Sequence, residues 1–401
     1  MAHGSAARHI PIKERPWSNA AFMGKNHWYH ETQSTICPVD VLPLVPEAAH
    51  VEDRFLLDLT LPEEWLRAHA GWLAPARCLA DALFPASVVV NRLQTVSAYD
   101  RLSTALTVAQ VYGVQRLCNH YAARLAPLPG PDSSRESNRR LAQMTQYARQ
   151  LAGSPSVINT LSRSQLDEVG LTSRDMILIN QIVGFVGFQA RAIAAFHASL
   201  GFPVRWMPGM PQQEDAPADD FTIGQLTWTP DINDTDLRYA NDERQALLAD
   251  WLPHPGLSEL APLLAAHETI LKAQHQLLTQ LSVNQPFASL VALMTARING
   301  SASCFNAWAE TGSVSPLLTE TLRNDERAPE AWEQSHPTER IILQAVQLLT
   351  RAPDRFSAAQ LTPLAEHGLS HAQIIDILAW SGVCGWMNRL KIALGMVRQQ
   401  T

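Results

Sequence analysis

The chain has 401 residues, 46% of them hydrophobic and 17% charged, with 31 basic against 38 acidic side chains and a net charge of -7. That length suits two or three domains, and the apolar content excludes a largely disordered chain. No run approaches the ~20 apolar residues that span a bilayer, and no basic excess marks phosphate binding, so neither a membrane nor a nucleic-acid partner is expected.

Residues 1–50 read as a largely irregular arm. Met1 to Lys25 is polar and basic and lacks an apolar signal-peptide core, so a cytoplasmic location is the expectation. Asp100 to Leu125 sets Leu102, Leu106, Ala109, Val111, Leu117 and Leu125 in a helical rhythm. Pro127-Leu-Pro-Gly-Pro131 interrupts it, and Ser133 with Glu136 forms a capping-box pattern for a helix over about 134–152. Ile177, Ile179, Ile182, Val183, Val186 and Phe188 mark a further helix from Thr172 to about Leu200. The stretch 201–241 is rich in proline (Pro203, Pro208, Pro211, Pro217, Pro230) and carries Glu214, Asp215, Asp219 and Asp220. It reads as a linker between a first domain, 51–200, and a second, 242–401, with Trp206 and Trp228 suggesting that parts of it pack down. Helical patterns resume at about 242–252, 257–281, 286–298, 302–310, 338–351, 358–367 and 371–397. Strand-like alternation is scarce, and the expected class is all-α.

An internal repeat organises these helices. At an offset of 198, Gly170, Leu171, Ile177, Ile179, Gly184, Gly187 and Arg191 recur as Gly368, Leu369, Ile375, Ile377, Gly382, Gly385 and Arg389. Thr172 and Ser370 hold the same N-cap place. Upstream the offset becomes 187, where Ala105, Leu106, Ala109, Gly113 and Asn119 match Ala292, Leu293, Ala296, Gly300 and Asn306. Two homologous helical units are therefore expected. Glycine inside a helix costs roughly 1 kcal/mol against alanine, so the Gly-x-x-Gly pairs predict a closely approaching neighbour helix. Arg191 and Arg389, one turn on, are placed to meet a carboxylate or a helix C-terminus.

Five cysteines, at 37, 78, 118, 304 and 384, are too scattered for a disulfide framework, and none has zinc-ligand spacing. Cys304 has the most informative surroundings. Asn299-Gly300 breaks a helix, Ser301 is a candidate N-cap, and Cys304 follows three residues later in the first turn of the next helix. Free amides and the helix dipole lower a thiol's pKa there, and the thiolate is the species that attacks peroxides and disulfides. A cysteine in this place also serves as a small buried gap filler. In the first unit Leu117 holds the matching position, Cys118 is one residue out of register, and His120 reads as structural or surface. His267, Glu268 and His275 lack metal spacing, His367 and His371 read as solvated, and Cys384 reads as core.

Asn299-Gly300-Ser301-Ala-Ser-Cys304, with the glycine-paired helix through Asn388-Arg389-Leu390, resembles the carboxymuconolactone decarboxylase/alkyl hydroperoxidase D (AhpD-like) superfamily. The likeness extends over roughly 80–200 and 255–397, as a tandem duplication. Together with the linker and Trp28-Tyr-His-Glu-Thr-Gln33, the whole is similar to the two-domain YciW-type oxidoreductases. In the peroxidase branch of that superfamily the pattern is Asn-Gly-Cys-x-x-Cys-x-x-x-His with a glutamate some twelve residues earlier. The resemblance makes Cys304 the attacking cysteine. It puts Ser301 in place of the resolving cysteine, Trp308 in place of the histidine and Ser289 in place of the glutamate. In the first unit Val114, Leu117 and Tyr121 replace the motif residues.

The resemblance thus implies a thiol-dependent, peroxidase-related oxidoreductase with Cys304 and Ser301 as catalytic residues and Asn299 and Trp308 in the binding site. It implies no metal or other cofactor, a hydroperoxide or small thiol or disulfide as substrate, and a thiol reductant. General acid–base help is typically worth 10²–10⁴-fold, so the missing Glu and His imply slow turnover. A homo-oligomer, dimer or trimer, is expected because relatives form rings from repeated subunits. The alternatives are a non-catalytic helical protein that binds a ligand or acts as a scaffold on the inherited fold, and a decarboxylase-like lyase.

Overall fold

Side-chain caps begin most of the long helices. Ser97, Thr172, Ser357 and Ser370 each accept a hydrogen bond from a first-turn amide, while the residue at N3 returns one to the cap. The Thr172 and Ser370 caps stand where the repeat places them. The cap of the helix near 135 is Ser134, not Ser133; its hydroxyl accepts from the Ser137 amide. The computed structural model describes residues 44–204, 212–221, 226–232, 242–251, 254–282, 285–325, 327 and 336–399, so most of the N-terminal arm and Cys37 lie outside the described residues.

In chain order the first half contains α1 (Glu63–Ala68), α2 (Ala70–Leu83), α3 (Ala98–Tyr112), α4 (Gln115–Leu125), α5 (Arg135–Gly153), α6 (Thr160–Asp167) and α7 (Ser173–Ser199). A strand, β1 (Leu226–Pro230), and α8 (Asp242–Asp250) follow. The second half contains α9 (Ala261–Leu264), α10 (Glu268–Ser282), α11 (Ala288–Asn299), α12 (Ala302–Glu310), α13 (Pro316–Asn324), α14 (Pro337–Arg351), α15 (Ala358–Glu366) and α16 (His371–Leu394). The class is all-α, with one small antiparallel pair in which Trp228 of β1 faces Val397 of β2 (Gly395–Gln399). That strand corrects the expected continuous helix to 397. The helix stops where Gly395 turns extended, and Trp228 packs there, its indole N–H donating to the Lys391 carbonyl at 2.8 Å.

The continuous helix expected over 100–125 is two, α3 and α4. Gly113, in the left-handed region at φ 65°, ends α3, and Gly300 ends α11 in the same way at φ 82°. The two longest helices, α7 and α16, pack on each other along the core. α7 is long and apolar enough to cross a membrane by length and composition, but the apolar stretch is wholly buried inside the protein. Leu44–Thr401 forms one compact unit.

Glycines set the distance between α7 and α16. A β-carbon on Gly184 would fall 1.8 Å from the Trp386 ring, and one on Gly382 would fall 3.1 Å from the Phe188 ring. The space is filled by Phe188 stacked on Trp386 with ring centroids 6.4 Å apart, and by Phe185 edge-on to Trp386 at 5.8 Å. The arginines one turn on reach helix C-termini across the halves. Arg389 of α16 donates to the Leu151 and Ala152 carbonyls of α5 at 3.1 and 2.8 Å, and Arg191 of α7 donates to the Thr350 carbonyl of α14. These carbonyls are among the last four of their helices, which have no intrahelical donor.

The described parts of the 201–241 stretch pack down rather than float. Gln213 and Ala216 make backbone bonds to Arg351 and Ile298, and Arg297 donates to the Ala216 carbonyl at 2.6 Å while its guanidinium lies over the Phe221 ring. Trp228 is buried, as its size suggests; Trp206 lies outside the described residues.

Candidate functional site

The residues singled out in the sequence meet at the junction of α11, α12 and α16. Gly300 and Ser301 both return their amides to the Ala296 carbonyl, which closes α11 and starts α12 at once. The first intrahelical bond of α12 is Phe305 N–H to the Ser301 carbonyl at 2.9 Å, so the Cys304 amide precedes the α-helical ladder. The chain can turn this sharply because Gly300 has no side chain: a β-carbon there would stand 2.8 Å from Ser156 Cβ and 3.0 Å from Ala216 Cβ. Ser156 belongs to the first half and Ala216 to the connecting stretch, and together they cover the turn.

Ser301 stands at the N-cap position, but its hydroxyl makes no capping bond, which corrects the expectation that it caps α12. Its Oγ is buried without a hydrogen-bond partner. Cys304 is 3% exposed and Asn299 is fully buried. The Asn299 and Asn388 side-chain amides meet at 3.0 Å, and Gln213 donates to Asn299 Oδ1 at 2.8 Å. Gln213 in turn accepts from Arg389 at 3.1 Å. Burial pulls the Arg389 guanidinium down to about 10, which leaves it protonated at neutral pH. The four side chains form one continuous buried polar chain beside Gly385.

Trp308, one turn after Cys304, sits edge-on to Trp380 of α16 with ring centroids 5.9 Å apart. Ser289 is buried at the start of α11, where the neighbouring Ala288 carbonyl accepts from the Trp380 indole at 3.0 Å. Cys384 is buried on α16, as its sequence setting suggests, and desolvation together with the Cys304 thiol pushes its own thiol well up. Asn299, Ser301, Cys304 and Trp308 thus lie along one short turn and helix, against a single stretch of α16. In the first half, Tyr112 takes the place of Asn299, and its ring lies under the guanidinium of Arg191 at 4.6 Å. Cys118 there is pushed up to about 12 by burial.

Of the histidines, His120 is buried with Nδ1 2.7 Å from the Ala48 carbonyl, and burial lowers it to about 4. His267 contacts the Arg174 carbonyl and is lowered to about 4 by the same cause. His367 is exposed, as expected. His371 is half-buried rather than fully solvated: its ring stacks on Trp65 with centroids 4.0 Å apart, and burial lowers its pKa.

The sequence reading missed the neighbours of His371. His69, which is 1% exposed, places Nδ1 2.9 Å from Asp376 Oδ1, and the Trp72 indole donates to the same oxygen at 2.9 Å. The Nε2 atoms of His69 and His371 have no hydrogen-bond partner. Trp65, His69 and Trp72 recur at helical spacing, the one sequence signal that marked this face. Among the described residues no group of three or more His, Cys, Asp or Glu side chains is arranged to hold a metal ion.

The sequence matches no protein-family model and no curated protein.

Proposed function

We propose that this protein is a thiol-dependent oxidoreductase of the AhpD-like type, in which Cys304 reacts with a hydroperoxide or a small disulfide. The observation that carries the reading is the placement of Cys304 in the first turn of α12, after a left-handed glycine and three residues after Ser301, whose buried hydroxyl has no partner. First-turn amides with no intrahelical acceptor are available there to a group on which negative charge develops. Ser301 stands in the place of the motif's resolving cysteine, and Asn299 and Trp308 flank Cys304 along the same turn and helix. The tandem arrangement of two such units is part of this proposal. It is supported by the matching Gly113 and Gly300 turns and by the exchanged arginine caps of α5 and α14. The first unit, with Leu117 at the place of Cys304, is the silent one.

A second reading, a non-catalytic helical protein on the same fold, is favoured by one feature. The polar space beside Cys304 is filled by the chain's own Asn299, Asn388, Gln213 and Arg389. One experiment separates the two. Reduced protein is treated with hydrogen peroxide or cumene hydroperoxide, sulfenic acid is trapped, and the five cysteines are compared by peptide mass spectrometry. Oxidation of buried Cys304 ahead of exposed Cys78 supports the oxidoreductase. Oxidation that simply follows exposure, with Cys78 first and Cys304 no faster than Cys118, sinks it.

A further inference from the structure

We infer that Cys384 is the resolving partner of Cys304, closing a reversible disulfide between α12 and α16. The inference rests on the oxidoreductase reading above and names the thiol that the Ser301 substitution removes from the sequence motif.

The register of the two segments carries the argument. Asn299 meets Asn388 at 3.0 Å, and Trp308 meets Trp380 with ring centroids 5.9 Å apart. Asn299 closes α11 and Trp308 lies in α12, so the chain between them, turning at Gly300, passes along α16 from Asn388 toward Trp380. Cys304 lies four residues before Trp308, and Cys384 lies four residues after Trp380 and four before Asn388. Spacing by four keeps a residue on the same helix face, so each cysteine shares the inward face of its tryptophan. Cys304 and Cys384 both fall between the two fixed contacts, one turn from the tryptophan pair. Both are buried, at 3% and 5% exposure, and the charge on one thiol is felt by the other. No residue in the first half repeats this pairing, because Leu117 and Val186 stand at the matching positions.

The raised thiol of Cys384 assigns the roles. It stays protonated at neutral pH and does not itself attack peroxide. The Cys304 thiolate attacks the hydroperoxide; the O–O bond breaks, Cys304 becomes a sulfenic acid, and the alkoxide leaves with a proton as the alcohol. The Cys384 sulfur then bonds to the Cys304 sulfur. The S–O bond of the sulfenic acid breaks, and the hydroxide leaves with the Cys384 proton as water. Two equivalents of a small-molecule thiol return both cysteines to the reduced state and become its disulfide.

The test uses the full chain, pre-reduced and freed of reductant. One equivalent of hydrogen peroxide is added, free thiols are alkylated, and the protein is digested without reduction. The expected product is a Cys304–Cys384 linked peptide that disappears on treatment with glutathione. In C384S the linked peptide is lost and Cys304 accumulates as trapped sulfenic acid, then as sulfinic acid with excess peroxide. C384A, matched for folding by circular dichroism, provides a second removal of the thiol. If wild type accumulates Cys304 sulfenic acid to the same level as both variants and yields no linked peptide, Cys384 does not resolve it, while the oxidoreductase reading stands. If Cys304 is not oxidised ahead of the other cysteines, the underlying reading fails and this inference fails with it.

Discussion

Gly184 of α7 and Trp386 of α16 approach so closely that any β-carbon on the glycine would overlap the indole, at 1.8 Å from Cδ1. The contact fixes how deeply the two longest helices sit against each other, and the aromatic stack of Phe188 on Trp386 depends on it. Replacement by alanine cannot be absorbed by a side-chain rotation, since Trp386 is itself 1% exposed and enclosed. Overpacking of this kind costs about 1–3 kcal/mol or more. Gly184→Ala is expected to lower the urea midpoint, and an unchanged midpoint would show that the helices can slide apart freely.

Arg389→Met should also destabilise the fold, by a different route. The side chain fills much of the same volume but leaves the buried Leu151 carbonyl without its donor and the Ala152 carbonyl with the Tyr112 hydroxyl alone. Each unsatisfied buried group costs about 1–3 kcal/mol. Lysine at this position reaches one carbonyl at best, so Arg389→Lys should recover only part of the loss. Equilibrium unfolding of the three proteins under one set of conditions would rank them.

Stability should fall as the solution is acidified from neutrality toward pH 4. His120 and His267 are held down to about 4 by burial in the folded protein, against about 6.5 in an unfolded chain. Between those values the unfolded state takes up a proton that the folded state does not, so protons favour unfolding. The loss amounts to roughly 1 kcal/mol per pH unit for each fully responsive group. His120→Gln should flatten the dependence of the urea midpoint between pH 7 and pH 5; a slope identical to wild type would remove His120 from the explanation.

Gly300→Ala should disturb the Cys304 turn more than its chemistry suggests. At φ 82° an alanine pays about 1–2 kcal/mol for the left-handed backbone. Its methyl also meets Ser156 and Ala216, neither of which is the flexible end of a long side chain. The expected outcome is a lower melting temperature together with faster alkylation of Cys304 by iodoacetamide, as the cover formed by Ser156 and Ala216 loosens. Slow alkylation with a normal melting temperature would count against this account of the turn.

Several of these features were legible in the sequence, and others had no local signal. The pattern Gly-x-x-Gly-x-x-x-Arg announced a close helix approach followed by an arginine near a helix end, and both halves obey it. It did not announce that each arginine reaches the other half, because the identity of the receiving helix is set by long-range packing. Gly300 and Cys304 were visible as a turn and a first-turn thiol, since backbone demands are local. The idle Ser301 hydroxyl was not, because capping depends on a rotamer that sequence does not fix. The β1–β2 pair went unseen because five residues at each strand, without alternation, carry no periodic signal. The junction of His69, Trp72 and Asp376 joins residues some 300 positions apart, and only the helical spacing of Trp65, His69 and Trp72 hinted at it.

The exchanged arginine caps have a consequence for how this chain can be divided. A fragment ending near residue 204 would keep α5 without the Arg389 donor at Leu151 and Ala152, and Arg191 without the Thr350 carbonyl, and the complementary fragment would carry the reverse defect. Neither piece can complete its own core, yet each carries what the other lacks. Cleaved within the connecting stretch, the protein should behave as a split reporter does, silent as separate parts and restored on mixing.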